Sequence, residues 1–216
     1  MILDGAAGVG ILLALFMALG WAPTEATMGH LQRIFYFHVS TAWVGFLALF
    51  VSLVGGILYL GQGEARFDNL SRASVEIGFT FITIAILTGS IWAKSVWNTW
   101  WTWEPRLTTA AILWLIYLAY FMLRSGIDDP EQGARLAAVY TIPAFVSVPM
   151  TFLVIFWWRG MHPVMGWLTP RMLATLLVSA GAFTLLYLAL LRHRLRLACL
   201  RREIASLREH LEERGA

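Results

Sequence analysis

The sequence predicts an all-α integral membrane protein with six transmembrane helices and both termini on the cytoplasmic side, and three observations predict it. Of 216 residues, 59% are hydrophobic and 13% are charged, a balance outside the range of soluble globular chains. The apolar residues fall into six separate runs, each near the roughly 20 residues that cross a hydrocarbon core about 30 Å thick. The 11 Trp, 13 Phe and 6 Tyr exclude a disordered chain, which would be poor in aromatics.

The first span, Ile2 to Ala22, has no basic residue ahead of it and is too long for a signal core, so it reads as a retained helix. The second, Ile34 to Leu60, ends at Gly61-Gln62-Gly63, and Asp68-Asn69 precede the third, Ala73 to Ala93. The fourth, Pro105 to Leu123, stops before Gly126 and Asp128-Asp129-Pro130, all strong turn signals. The fifth, Leu136 to Trp158, contains Pro143 and Pro149, each of which removes a backbone donor and predicts a kink. The sixth is Arg171 to Leu191. Glu76 is the one carboxylate near a span interior; an unpaired charge at mid-depth is expensive, so it is expected close to the interface. The organisation expected is a transmembrane unit, residues 1–191, and a basic amphipathic cytoplasmic tail, residues 192–216. In that tail Leu197, Leu200, Ile204, Leu207 and Leu211 repeat at heptad-like steps.

Lys and Arg collect on the cytoplasmic side of a membrane. Eleven basic residues, Arg66, Arg72, Arg124, Arg135 and seven in the tail, lie on the side of the termini, against five on the other: Arg33, Lys94, Arg106, Arg159 and Arg171. The loops near residues 23–33, 94–104 and 159–170 are therefore expected outside. The net charge of +3 reflects this asymmetry and points to no nucleic-acid partner. Cys199 is the single cysteine, which excludes an internal disulfide, a Cys-x-x-Cys redox pair and a Cys-x-x-Cys-His site for covalent haem.

The unusual residues cluster on the outer face. The segment Trp97-Asn98-Thr99-Trp100-Trp101-Thr102-Trp103-Glu104-Pro105-Arg106-Leu107-Thr108 holds four tryptophans in seven positions. An interfacial belt scatters one or two indoles per helix end. Continued as a helix, Trp97, Trp100, Trp101 and Glu104 share an arc of about 100°, one aromatic face suited to a large planar ring. Pro105 then ends that short helix and starts the next, with Glu104 at its amino end, where the dipole favours negative charge. Arg106 is expected to face water, contacting a carboxylate of a ligand or pairing with Glu104 or lipid phosphate. His38 opens the second span and His162 follows the fifth, both at the outer boundary among aromatics. A lone histidine there reads as a boundary residue satisfied by water or a carbonyl. A pair on separate helices beside a tryptophan face reads as two axial ligands gripping haem iron non-covalently.

The run Trp-x-x-Trp-Trp-x-Trp-Glu-x-Arg-Leu-Thr, with six spans, His38 before it and His162 after it, resembles the haem exporter protein C family. That family belongs to the tryptophan-rich haem-handling membrane proteins of cytochrome c biogenesis. The resemblance covers residues from about 30 to 190. It implies a non-enzymatic protein of the inner membrane that binds haem b at the periplasmic face and loads it onto a periplasmic haem chaperone. It also implies work beside ABC transporter subunits and a small membrane subunit of the cytochrome c maturation system. Carried over, His38 and His162 match the axial ligands, while Trp97, Trp100, Trp101, Trp103, Glu104, Arg106, Leu107 and Thr108 match the signature that cradles the porphyrin and meets the chaperone. Glu104 stands where the family usually has Asp and Asn98 where it commonly has Gly. Glutamate keeps the charge but caps less well, and asparagine tolerates a left-handed turn.

Two other classes of function compete. A bis-His haem b electron-transfer subunit usually buries its ligands within spans, whereas His38 and His162 sit at the boundary. A cofactor-free permease needs polar lining at mid-membrane, which these spans lack.

Overall fold

The computed structural model describes residues 2–158, 160 and 168–215, and these are helical apart from short connections. Helix α1, Ile2–Phe16, widens into a single π-type turn at Met17–Trp21. A 3-10 turn at His30–Arg33 runs directly into α2, Ile34–Gln62. There follow α3 (Ala65–Trp97), α4 (Pro105–Ser125), α5 (Pro130–Phe145), α6 (Ser147–Trp157) and α7 (Pro170–Gly215). Among the described residues six helical stretches are long and apolar enough to cross a membrane: Ile2–Trp21, His30–Gln62, Ala65–Trp97, Pro105–Ser125, Pro130–Trp157 and Pro170–Glu212. The number agrees with the sequence reading, and the boundaries differ at three places for identifiable reasons.

Helix α3 begins at Ala65, two turns ahead of the expected Ala73. Its first turns are polar but satisfied by other helices: both guanidinium arms of Arg124 donate to the Asp68 carboxylate at 2.6 Å, and Glu76 is paired by Arg72 and by Arg194 of α7. Glu76 is thus neutralised near the helix end, as its cost at mid-depth requires. Helix α5 begins at Pro130, ahead of the expected Leu136, because Asp129 accepts hydrogen bonds from the amides of Glu131 and Gln132, with Pro130 in the first helical position. Helix α7 continues unbroken past Leu191 to Gly215. Arg192 and His193 both bond to Asp4 of α1, so the start of α1 and this part of α7 share one end of the bundle.

The tight turn after α2 makes α2 and α3 an antiparallel hairpin, the closest helix pair in the fold. Their backbones meet at Gly55, where an added Cβ would lie 2.9 Å from the Ser71 nitrogen; small residues permit such approach in membrane bundles. Buried hydroxyls tie the neighbours together, Ser52 to Ser71 and Ser74 to Tyr187 of α7, each at 3.0 Å. Leu49, Val75, Ile82, Leu113, Tyr117 and Tyr120 form the main core among α2, α3 and α4. Pro143 sits inside α5, and the helix breaks at Val146 before α6 resumes, the kink that the two prolines predict. Beyond the break α6 packs on α4 and hardly approaches α2.

Candidate functional site

At the end of the bundle away from Asp4 and Arg192, helices α2, α3, α4 and α6 part around a cavity of about 130 Å³. His38 lies on its α2 wall, in the second turn of that helix. The His38 Nδ1 is 2.9 Å from the Ala85 carbonyl oxygen and 3.3 Å from Thr88 Oγ1 on α3. Thr88 already donates its hydroxyl hydrogen to backbone carbonyls of its own helix. Both neighbours are acceptors, so Nδ1 carries the proton and Nε2 carries the lone pair. The ring lies flush on α3 because residue 89 is glycine: an added Cβ there would sit 2.9 Å from His38 Cε1.

The tryptophan segment takes a different shape from the sequence expectation. Helix α3 ends at Trp97, with Asn98 in the left-handed region at φ 59°, the conformation asparagine tolerates. Lys94 Nζ donates to both the Asn98 carbonyl and its side-chain oxygen. Residues 98–104 then run without helical turns until Pro105 opens α4. The expected short helix with one flat indole face is therefore absent, since the left-handed residue at 98 cannot continue the i to i−4 bonding. The four indoles part instead. Trp97 and Trp101 line the cavity together with Trp92, and Trp92 meets Trp97 edge to face at 5.1 Å. Trp100 and Trp103 are 60% and 78% exposed and belong to the outer surface.

Glu104 occupies the N-cap position of α4 with Pro105 behind it, and its side chain makes no capping bond; its backbone carbonyl accepts from the Thr108 amide at 2.9 Å. Its carboxylate instead lies against Gly160, where a Cβ would collide with Oε2. The Trp segment and the chain after α6 thus meet two positions before His162, which lies outside the described residues. Arg106 and Leu107 face the cavity from the first turn of α4. Arg106 is half-buried, so its expected place on the water side is corrected: Pro105 fixes the helix start, and the next residue is turned into the bundle. Thr108 is off the cavity wall, with its hydroxyl buried.

Three participants escaped the sequence reading. Gly89 had a signal, a lone glycine inside an apolar span, but nothing local shows which ring it admits. Trp92 reads from sequence as a belt residue and is a cavity wall. Met28 reaches the cavity from a turn that the Glu25 carboxylate closes by accepting the amides of Thr27 and Met28. Those amides, Met28 first, hold the Glu25 carboxyl below the usual carboxylate range.

Fold and site together define a polytopic helical membrane protein with an aromatic-walled, histidine-bearing cavity at one end. A model of the family described as "Heme exporter protein C" matches residues 1–210. The chain is 37% identical over 196 residues to the protein of that name from Bradyrhizobium diazoefficiens, covering 86% of this chain and 73% of the relative. It is 32% identical over 193 residues to that of Paracoccus denitrificans, covering 86% and 80%. The corresponding protein of Escherichia coli K12 is 31% identical over 144 residues, covering 66% and 58%. The chain belongs to the heme exporter protein C family.

The residues present fit a haem. The cavity offers one imidazole lone pair, indole walls and a guanidinium. The buried Nε1 atoms of Trp92 and Trp101 have no hydrogen-bond acceptor among the described residues, so two donors stand ready for a ligand's carboxylates.

Proposed function

We propose that this protein holds haem b non-covalently at the periplasmic face of the inner membrane and hands it to a haem chaperone during cytochrome c maturation. The observation that carries the reading is the His38 ring, fixed by the Ala85 carbonyl with its Nε2 lone pair on a cavity walled by Trp97 and Trp101. A histidine ligand oriented through its other ring nitrogen is the arrangement metal sites use. His162 serves as the second axial ligand in this reading, supported by the contact that brings Gly160 to the Trp segment. When bound, the haem would supply an iron that the His38 and His162 imidazoles would hold.

This chain's own groups do the rest. Trp97 and Trp101 cover the apolar ring and exclude water, while Arg106 and the indole N–H groups of Trp92 and Trp101 bond the propionates. Leu107 fills the wall between them. Thr108 and Glu104 hold the start of α4 in place, and Trp100 and Trp103, exposed beside the cavity, give the chaperone a surface to dock on. The excess of Arg on the side of the termini supports a cytoplasmic location for both ends, with residues 192–216 as a basic extension there. ABC transporter subunits and a small membrane subunit complete the assembly, and no enzymatic step is assigned to this chain.

The test is the absorption spectrum of protein purified with haem, followed by addition of the chaperone. The wild type is expected to show a low-spin Soret band that transfers to the chaperone. His38→Ala and His162→Ala are each expected to shift or abolish it. Unchanged spectra in both variants would remove the assignment.

A further inference from the structure

We propose that haem enters the cavity sideways from the lipid, through a mouth between α2 and α6, rather than from the aqueous face. The proposal rests on the haem reading above and adds the route. On α2, Phe35, His38, Val39, Ala42 and Phe46 line the cavity and fall in one stripe about 100° wide. The adjoining stripe holds Trp43 and Phe50, each 49% exposed. Among the described residues the cavity wall therefore runs directly into an exposed apolar surface, with no helix between them.

Deeper in the bundle that position is filled. Thr141 of α5 sits against α2 so closely that a Cβ on Gly56 would lie 2.6 Å from its hydroxyl, and Phe145 meets Phe50 at 5.8 Å. Above the break at Val146, α6 leans onto α4 and leaves α2. Among the described residues one aromatic contact bridges the cleft there: Phe46 and Phe152, with ring centroids at 4.6 Å and planes at 57°. One turn further along α6 Phe156 is 74% exposed, while Val39 and the small Ala42 line the cavity from α2. The mouth is thus apolar on both sides, with Phe46 and Phe152 as its floor, while His38 and Arg106 lie inside. A flat amphiphile dissolved in the bilayer passes such walls without leaving hydrocarbon and meets its polar partners only within, which avoids carrying an apolar ring through water.

The experiment fuses haem-laden phosphatidylcholine vesicles with vesicles containing the protein and follows the Soret band. Each rate is normalised to its own endpoint. Ala42→Phe, which narrows the mouth, is expected to slow loading about tenfold, and Phe152→Ala to speed it severalfold with the endpoint unchanged. If Ala42→Phe fails to fold or to bind, Phe152→Ala still decides. Rates unmoved in both variants would overturn the route. In a Cys199→Ser background, Val39→Cys should react with membrane-dissolved pyrene maleimide and not with a charged, water-soluble methanethiosulfonate. Reaction with the charged reagent alone would put the mouth in water, and reaction with neither would show it covered by another protein; either result overturns the route. A wild type that never acquires a Soret band overturns the haem reading and the route together, whereas the labelling results bear on the route alone.

Discussion

The two ends of this bundle use polar side chains in opposite ways. At the end that carries the termini, charged groups close on one another across helices: Arg124 on Asp68, Arg194 on Glu76 and Arg192 on Asp4. At the other end His38, Arg106 and the N–H groups of Trp92 and Trp101 border a cavity. The first arrangement ties α3 to α4 and α7, and α1 to α7. The second gathers an imidazole, a guanidinium and indoles around a cavity. A buried pair is costly to break, and oriented groups at a cavity are costly to stability yet useful to binding. The ends are expected to respond to substitution in correspondingly different ways.

The largest expected effect is at the ion-paired end. The Asp68 and Arg124 side chains are 15% and 16% exposed, so Asp68→Asn leaves a largely buried guanidinium uncompensated and is expected to cost about 3 kcal/mol or more of stability. The melting temperature in detergent should fall while the haem spectrum per folded molecule stays unchanged. A changed spectrum without a melting shift would erase the distinction between the ends. At the cavity, Gly89→Val pushes the His38 ring off α3 and is expected to weaken haem binding by about 10- to 100-fold, the range for lost orientation of a ligand. Its melting temperature should move far less than that of Asp68→Asn. Arg106→Ala is expected to cost about 1.5 to 3 kcal/mol of haem affinity and Arg106→Lys less; equal losses for native and propionate-esterified haem would show that the guanidinium contacts something else.

A smaller contrast lies within the tryptophan segment. Trp101→Ala should weaken haem retention by about 1 kcal/mol, whereas exposed Trp103→Ala should leave retention within about 0.5 kcal/mol and slow transfer to the chaperone. Reversed results would return the segment to a simple belt. The smallest effect expected is at Glu25. Its folded pKa is depressed by the Met28 and Thr27 amides, so its contribution is complete above the ordinary glutamate range and fades as pH falls toward the lower folded value. Glu25→Gln should lose that contribution at neutral pH and with it the acid-side dependence of haem retention.

Much of this architecture is legible in one dimension. Six apolar runs, Pro105 at the head of α4 and the kink at Pro143 all depend on residues within a few positions of the feature, because helix formation and bilayer crossing are set by neighbours along the chain. The extension of α3 back to Ala65 was not legible: it depends on Arg124 and Arg194, which reach Asp68 and Glu76 from other helices. Helical periodicity over-read Trp97 to Glu104 as a continuous face, since one left-handed residue at Asn98 redirects everything after it.

What the sequence by itself determined is the membrane class, the number of spans and the residue types assembled toward one end, since each follows from local composition and spacing. Only the tertiary structure decided which of them share a cavity. His38 finds its Ala85 acceptor 47 positions away, Gly89 makes room for its ring, Trp97 and Trp101 turn inward while Trp100 and Trp103 turn out, and α6 leans away from α2. Those choices rest on side chains meeting across helices, where a contact's energy depends on shapes and distances that no single segment carries.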